Sequence, residues 1–346
     1  MGRPGIAPVR WRPPAPTARA GQRTGAHPWR PTRVVDVGAH NTEDVAVDHE
    51  GRLLTGIADG RVLRVDLDSG DVATVADTGG RPMGIEVLPD GRLVVCDANR
   101  GLLRVDPDAG SVEVLVAEVD GRPLRFCNNA AVAADGTVYF SDSSRRFGLD
   151  HNHADILEHS STGRLLRRTP DGAVDVLVDR LAFANGVALP PDEAYVAVAE
   201  TGAYRVTRHW LTGPGAGTTD VLLDNLPGFP DNLSTGTDGL LWLALILPRN
   251  RLLDLLLPRH PVLRHAVWAV PDPVRRRLEG TTTWVVAVDR DGSLVHDLQA
   301  AGEAYHTVTG VRERDGTLYL SSLAQHALAV APVPVPAPPT SLDGNP

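Results

Sequence analysis

Cysteine and large aromatic rings are scarce in this 346-residue chain, which has two Cys and 5% Phe, Trp and Tyr together. Two cysteines, Cys96 and Cys127, exclude a disulfide framework. Neither belongs to a CxxC pair, so both are expected as small buried residues. No run of about 18 apolar residues occurs, which leaves no transmembrane helix to expect. Basic runs are also missing from the body of the chain, and a formal net charge of -9 argues against a nucleic-acid partner. The opening 31 residues are rich in Arg and Pro but lack the apolar stretch of a secretory signal, so the expected location is cytoplasmic.

What is abundant is turn-forming residues, 34 Gly and 28 Pro, which favours many short strands. A unit recurs six times: an acidic residue, usually followed by Gly, then an alternating apolar strand. Its copies are Glu50-Gly51 before RLLTG, Asp90-Gly91 before RLVVC, Asp135-Gly136 before TVYFS, Asp192-Glu193 before AYVAVAE, Asp238-Gly239 before LLWLAL and Asp315-Gly316 before TLYLSS. They stand 40, 45, 57, 46 and 77 residues apart, which brackets a four-stranded propeller blade with insertions in some copies. Second hairpins such as GLLRVDPDAGSVEVL make each copy an antiparallel meander. A single four-stranded sheet cannot bury both faces, whereas six packed radially can.

The expected fold is therefore an all-β, six-bladed β-propeller with a central metal channel and a short helical insertion. It spans residues 32–331, between a Pro/Arg-rich arm (1–31) and a Pro-rich tail (332–346) expected to be disordered. Strand RVVDVG (33–38) is placed to close the ring beside HALAVAPV. The insertion LPRNRLLDLLLPRHPVLRHAV has helical apolar spacing broken by Pro258 and Pro261.

The repeat also acts as a ruler. Seven residues before each acidic turn residue lie Glu43, Met83, Asn128, Asn185, Asp231 and Val308. Equivalent positions on innermost strands form a ring around the channel, so two carboxylates and two carboxamides converge. Such an all-oxygen set suits a hard cation, and Ca²⁺ accepts it more readily than the stricter Mg²⁺. Two residues further back lie Asn41, Arg81, Phe126, Phe183, Phe229 and His306. On an unbroken strand these face the same side and form a mostly apolar substrate pocket above one Ca²⁺ site.

The stretches FCNNAAVAADGTVYFSDSS (126–144), LAFANGVALPPDEAYVAVAET (181–201), LTGPGAG (211–217) and DNLPGFPDNLSTGTDGLLWLAL (224–245) resemble the strictosidine synthase-like family. That family stands with the gluconolactonase/SMP-30, paraoxonase and diisopropylfluorophosphatase-like propellers. The resemblance implies Ca²⁺ ligands at Glu43, Asn128, Asn185 and Asp231, the four that the ruler selects. It also implies a glutamate, in true strictosidine synthases, where this chain has Thr309, which disfavours a condensing enzyme or lyase.

The expected activity is calcium-dependent hydrolysis of a lactone, aryl ester or phosphotriester, a small-molecule substrate. Asp231 is the candidate base or nucleophile and His306 a second proton-transfer candidate. The competing reading is a non-catalytic propeller in which the metal staples the channel. Asp97, Asp142 and Glu200, each just past a repeat strand, are expected to be structural.

Overall fold

The computed structural model describes residues 3–22, 29–271, 281–301 and 305–334. Six four-stranded antiparallel sheets form the blades. Their innermost strands are Ala46–Val47, Pro82–Val87, Cys127–Val132, Ala184–Ala188, Gly228–Thr235 and Val308–Arg314 for blades 1 to 6. Each innermost strand touches the next, and that of blade 6 touches that of blade 1, so the ring is closed. Arg33–Asp36 pairs antiparallel with Ala327–Pro332 and completes blade 6 with a strand from the opposite end of the chain, as the pattern predicts. The tail beyond residue 334 lies outside the described residues.

Alternating apolar residues on both faces of each sheet fill the seams. One buried cluster lies between each pair of neighbouring blades, for example Leu53, Leu63 and Leu328 across the blade 6 and blade 1 seam. Trp284, Tyr204 and Leu243 share the blade 4 and blade 5 seam. Each fully buried aliphatic side chain contributes about 1.5–3 kcal/mol. Cys96 and Cys127 are buried and unbridged.

Among the described residues, three α-helices stand at one end of the ring. Helix α1 (Asn152–Glu158) lies between the second and third strands of blade 3. Helices α2 (Arg251–Leu256) and α3 (Val262–Ala269) lie at the equivalent place in blade 5. The insertion in blade 5 was readable from its apolar spacing. Helix α1 was not: it is only seven residues long and its N-terminus has no side-chain cap. Only the 57-residue spacing of that repeat signalled extra chain there.

Asp142 and Glu200 fasten the entry to the inner strand of their own blades. Asp142 accepts from Phe126 N at 3.0 Å and Arg164 at 2.7 Å, and Glu200 accepts from Ala182 N at 2.9 Å and Arg205 at 2.6 Å. Asp97 accepts from the backbone N–H groups of Asn99 and Arg100 and so holds its own turn.

Candidate functional site

Five of the six inner strands carry a bulge at the same height. Register slips across residues 83–84, 128–129, 185–186, 231–232 and 309–310. A bulge sets two residues against one on the partner strand and re-aims their side chains. Asn128, Asn185 and Asp231 sit on such bulges and, with Glu43 just ahead of the blade 1 inner strand, come together at the wall of one cavity of about 280 Å³, with exposures of 2%, 4%, 5% and 2%.

Asn185 Nδ2 donates to Asp231 Oδ1 at 2.6 Å and to Thr201 Oγ1 at 3.1 Å. Asn128 Nδ2 donates to Ser143 Oγ at 2.9 Å. With both amide nitrogens occupied, Asn128 Oδ1 and Asn185 Oδ1 are buried without a hydrogen-bond partner among the described residues. Burial first, then the charge of Asp44, raises the Glu43 carboxyl to about 7. Burial first, then the charge of Glu43, holds Asp231 well above the ordinary carboxylate range. Two desolvated acids face two unpartnered amide oxygens, and the charge of Arg81 offsets only part of the Glu43 rise. The donor set fits a hard cation. No group of three or more His, Cys, Asp or Glu side chains is gathered as metal ligands among the described residues; this ring holds two carboxylates and two carboxamides.

Arg81, Phe126, Phe183 and Phe229 line the same cavity. Phe126 and Phe183 meet edge to face at 5.5 Å. Arg81 is held by the carbonyls of Asn41, at 3.0 Å, and Pro82, at 3.3 Å. Asn41 and His306 are not brought to this wall. Asn41 and Thr307 have φ of 58° each, and Phe183 61°, so the chain here is not the unbroken extended strand that the register assumed. His306 Nδ1 instead pairs with Thr307 Oγ1 at 2.8 Å.

The ruler also slips by one in blade 6. Asp315-Gly316 is a two-residue turn between paired Arg314 and Thr317, with both φ positive. That tight turn removes a residue from the count. Thr309, not Val308, occupies the bulge equivalent to Asn128, and its hydroxyl donates to the Glu43 carbonyl at 2.7 Å.

A second layer escaped the sequence reading. One residue past each ring position stand Asp44, Gly84, Asn129, Gly186, Asn232 and Gly310. Asp44 Oδ2 accepts from Ile85 N at 3.1 Å and from Asn129 Nδ2 at 3.3 Å. Asn129 Oδ1 accepts from Val187 N at 2.8 Å, and Asn232 Nδ2 donates to the Glu43 carbonyl at 3.2 Å. The glycines between make room: a Cβ at Gly84 would lie 2.7 Å from Asn129 Cα, and one at Gly310 2.9 Å from Asp44 Cα. The signal was present as alternating polar and glycine residues at this position.

The far half of the cavity is apolar and helical, with Ile156 and Leu157 of α1, Leu252, Leu253 and Leu256 of α2 and Val267 of α3.

Residues 128–214 match the model of the family described as strictosidine synthase, and residues 32–65 match that described as strictosidine synthase-like, N-terminal. The adipocyte plasma membrane-associated protein of Rattus norvegicus is 33% identical over 293 residues, covering 78% of this chain and 77% of that protein. The chain belongs to the strictosidine synthase-like family. Among solved structures it is similar to a gluconolactonase of Xanthomonas campestris, with TM-score 0.63, 22% identity and coverage of 94% and 100% of the two chains. It is also similar to the calcium-binding protein regucalcin of Agrobacterium tumefaciens, with TM-score 0.60, 16% identity and coverage of 85% and 86%. These two likenesses are of fold.

Proposed function

We propose that this member of the strictosidine synthase-like family is a calcium-dependent hydrolase of lactones, aryl esters or phosphotriesters. The observation that carries the reading is the convergence of Glu43, Asn128, Asn185 and Asp231, with two amide oxygens unpartnered, on an otherwise apolar cavity. The similar folds of a gluconolactonase and of the calcium-binding protein regucalcin support it.

Those four residues would hold Ca²⁺, which supplies a Lewis acid for a carbonyl or phosphoryl oxygen. Asp231 faces the cavity and is oriented by Asn185 Nδ2. It is the group to take the proton of the attacking water, or to attack directly. Phe126, Phe183 and Phe229 hold the organic part of the substrate and exclude bulk water, while Arg81 offers a cationic handle on the same wall. Thr309 spends its hydroxyl on the Glu43 carbonyl and cannot replace a glutamate base, which disfavours the condensing reaction.

The rat relative's name associates it with the plasma membrane. Among the described residues here, no helix is long and apolar enough to cross a membrane. We place the protein in the cytoplasm, a location supported by its two unbridged cysteines.

The test is hydrolysis of a panel of lactones, aryl esters and a phosphotriester, with added calcium, with excess chelator, and with Asp231→Ala. Calcium-dependent turnover lost in Asp231→Ala is expected. No turnover by a protein that binds calcium would replace the hydrolase with a propeller whose metal is structural.

A further inference from the structure

The arm before the first blade carries five prolines within residues 3–16, Pro4, Pro8, Pro13, Pro14 and Pro16. Proline has a carbonyl acceptor but no N–H, so such a segment is rich in acceptors and poor in donors. The helical cap provides the donors. Trp268 Nε1 reaches the Pro4 carbonyl at 2.9 Å, Arg264 the Val9 carbonyl at 2.7 Å and Arg249 the Pro14 carbonyl at 2.8 Å.

Three of the N–H groups that the arm retains also donate to the cap. Ala7 N donates to Glu158 Oε2 at 2.6 Å, Val9 N to the Glu158 carbonyl at 2.8 Å and Trp11 N to the Leu257 carbonyl at 3.2 Å. Trp11 stacks on His159, just past the end of α1, at 4.3 Å. Further on, Arg19 pairs with Asp297 of blade 5 at 2.5 Å, which fixes the arm to the ring itself. The arm thus contacts all three cap elements in turn before anchoring on a blade.

Ile6 makes this arrangement bear on the cavity. It is 6% exposed and packs in one cluster with Phe147, Ala154, Leu157 and Trp268, against which Leu253 and Val267 also pack. Leu157, Leu253 and Val267 line the cavity as well. One residue from each of α1, α2 and α3 therefore touches Ile6's cluster and faces the apolar half of the site. Arg264, fully buried, bridges α3 to the α1 carbonyl of Leu157 at 2.8 Å and to the arm.

We propose that residues 3–15 are a strap that sets the helical wall of the cavity, with Ile6 as its positioning residue, and thereby selects substrates that carry an extended apolar group. The selection of substrates rests on the proposed hydrolase reading; the setting of the wall does not. Shortening Ile6 opens space behind Leu157, Leu253 and Val267, and these side chains retreat from the cavity. The polar ring, held by the blades, stays in place.

The test uses the full chain with Ile6→Ala, the milder Ile6→Val and the conservative Ile6→Leu. Two readouts are taken: binding of the fluorescent fatty acid 11-(dansylamino)undecanoic acid, and KM and kcat for 4-nitrophenyl acetate and decanoate. Ile6→Ala is expected to weaken dye binding and raise the decanoate KM about tenfold, the worth of roughly one methylene of contact. The acetate KM and both kcat values should stay within about twofold, and Ile6→Leu should restore the parent values. Ile6→Val should shift the same readouts by about twofold to threefold, which decides the matter if Ile6→Ala does not fold. Unchanged dye affinity in Ile6→Ala and Ile6→Val overturns the strap. Equal loss for acetate and decanoate overturns the positioning role. If neither ester is turned over, aryl esters drop out of the hydrolase reading and dye binding alone decides the strap.

Discussion

Gly186 follows the ring residue Asn185, and the seam between blades 4 and 5 leaves no room for a side chain there. A Cβ at Gly186 would stand 2.5 Å from the Asp231 carbonyl oxygen and 2.6 Å from Asn232 C, closer still to Leu233 N. All three are backbone atoms, so no flexible side chain can swing away. Carbon contacts settle near 3.5–4.0 Å, and Gly186→Ala must therefore open the seam by about 1 Å. Overpacking typically costs about 1–3 kcal/mol, and a clash confined to backbone belongs at the top of that range. At about 1.4 °C per kcal/mol for a chain of 346 residues, the melting temperature should fall by roughly 4 °C. The same movement draws Asp231 away from Asn185 Nδ2, now at 2.6 Å, so calcium affinity should fall about tenfold or more. Gly5 is the control, since a Cβ there meets nothing within 4 Å, and Gly5→Ala should stay within about 0.5 kcal/mol of the parent. The assays are differential scanning calorimetry and calcium titration. A Gly186→Ala protein with the parent's melting temperature and calcium affinity would refute the close seam and its coupling to the ring.

Asn185→Ala removes an unpartnered amide oxygen and the donor to Asp231. It should lower calcium affinity by about 10–100-fold in titration calorimetry; parent affinity would remove Asn185 from the ligand set. Excess chelator should lower the melting temperature of the wild-type protein, because a ligand at 100 times its Kd stabilises the folded state by about 2.7 kcal/mol. Identical melting curves with calcium and with chelator would count against a cation bound by the folded ring. Asp155 is 2% exposed in α1, and burial raises its carboxyl from 3.8 to about 7, with Glu158 adding to the rise and the Ser144 hydroxyl and Arg146 opposing it. A carboxyl that keeps its proton longer in the folded state than in the unfolded one makes stability fall as pH rises between those two values. Asp155→Asn should therefore stabilise the protein at pH 8, by no more than about 4 kcal/mol, and leave it unchanged at pH 4. Parallel pH profiles for variant and parent would refute the buried acid.

The blades were legible because their signal is periodic and repeated. Acidic turns and alternating strands recur whatever the insertions do, and the closing strand 33–38 needed only a partner of matching pattern. The four polar ring residues were legible for the same reason, since a fixed offset from the turn survives as long as the hairpin keeps its length. It failed where the hairpin shortened, at Asp315-Gly316, and Thr309 rather than Val308 took the sixth place. The second ruler failed at Asn41, whose carbonyl holds Arg81, and at His306, whose ring pairs with Thr307, so neither side chain is spent on the wall. Helix α1 and the strap were not legible. Their order comes from partners distant in the chain, such as Trp268 for Arg3 and Asp297 for Arg19, and no local pattern encodes those meetings.

The channel is written in six dipeptides, ED, MG, NN, NG, DN and TG, one per blade. The first letter of five of them, all but Thr309, lines the cavity, and that layer carries two unpartnered amide oxygens. The second letter alternates between a polar side chain and glycine. That alternation is what lets Asp44 of blade 1 meet Asn129 of blade 3 over Gly84, and Asn232 of blade 5 meet Glu43 of blade 1 over Gly310. Six full side chains at this height would collide, whereas six glycines would remove the hydrogen bonds that Asp44, Asn129 and Asn232 make between inner strands. With three of each, odd-numbered blades are tied across even-numbered ones, and hydrogen bonds fix the backbone that carries the donors. Under the proposed calcium reading, donors held in this way would lose little further freedom on binding the cation, so the rigidity for tight binding would be built during folding.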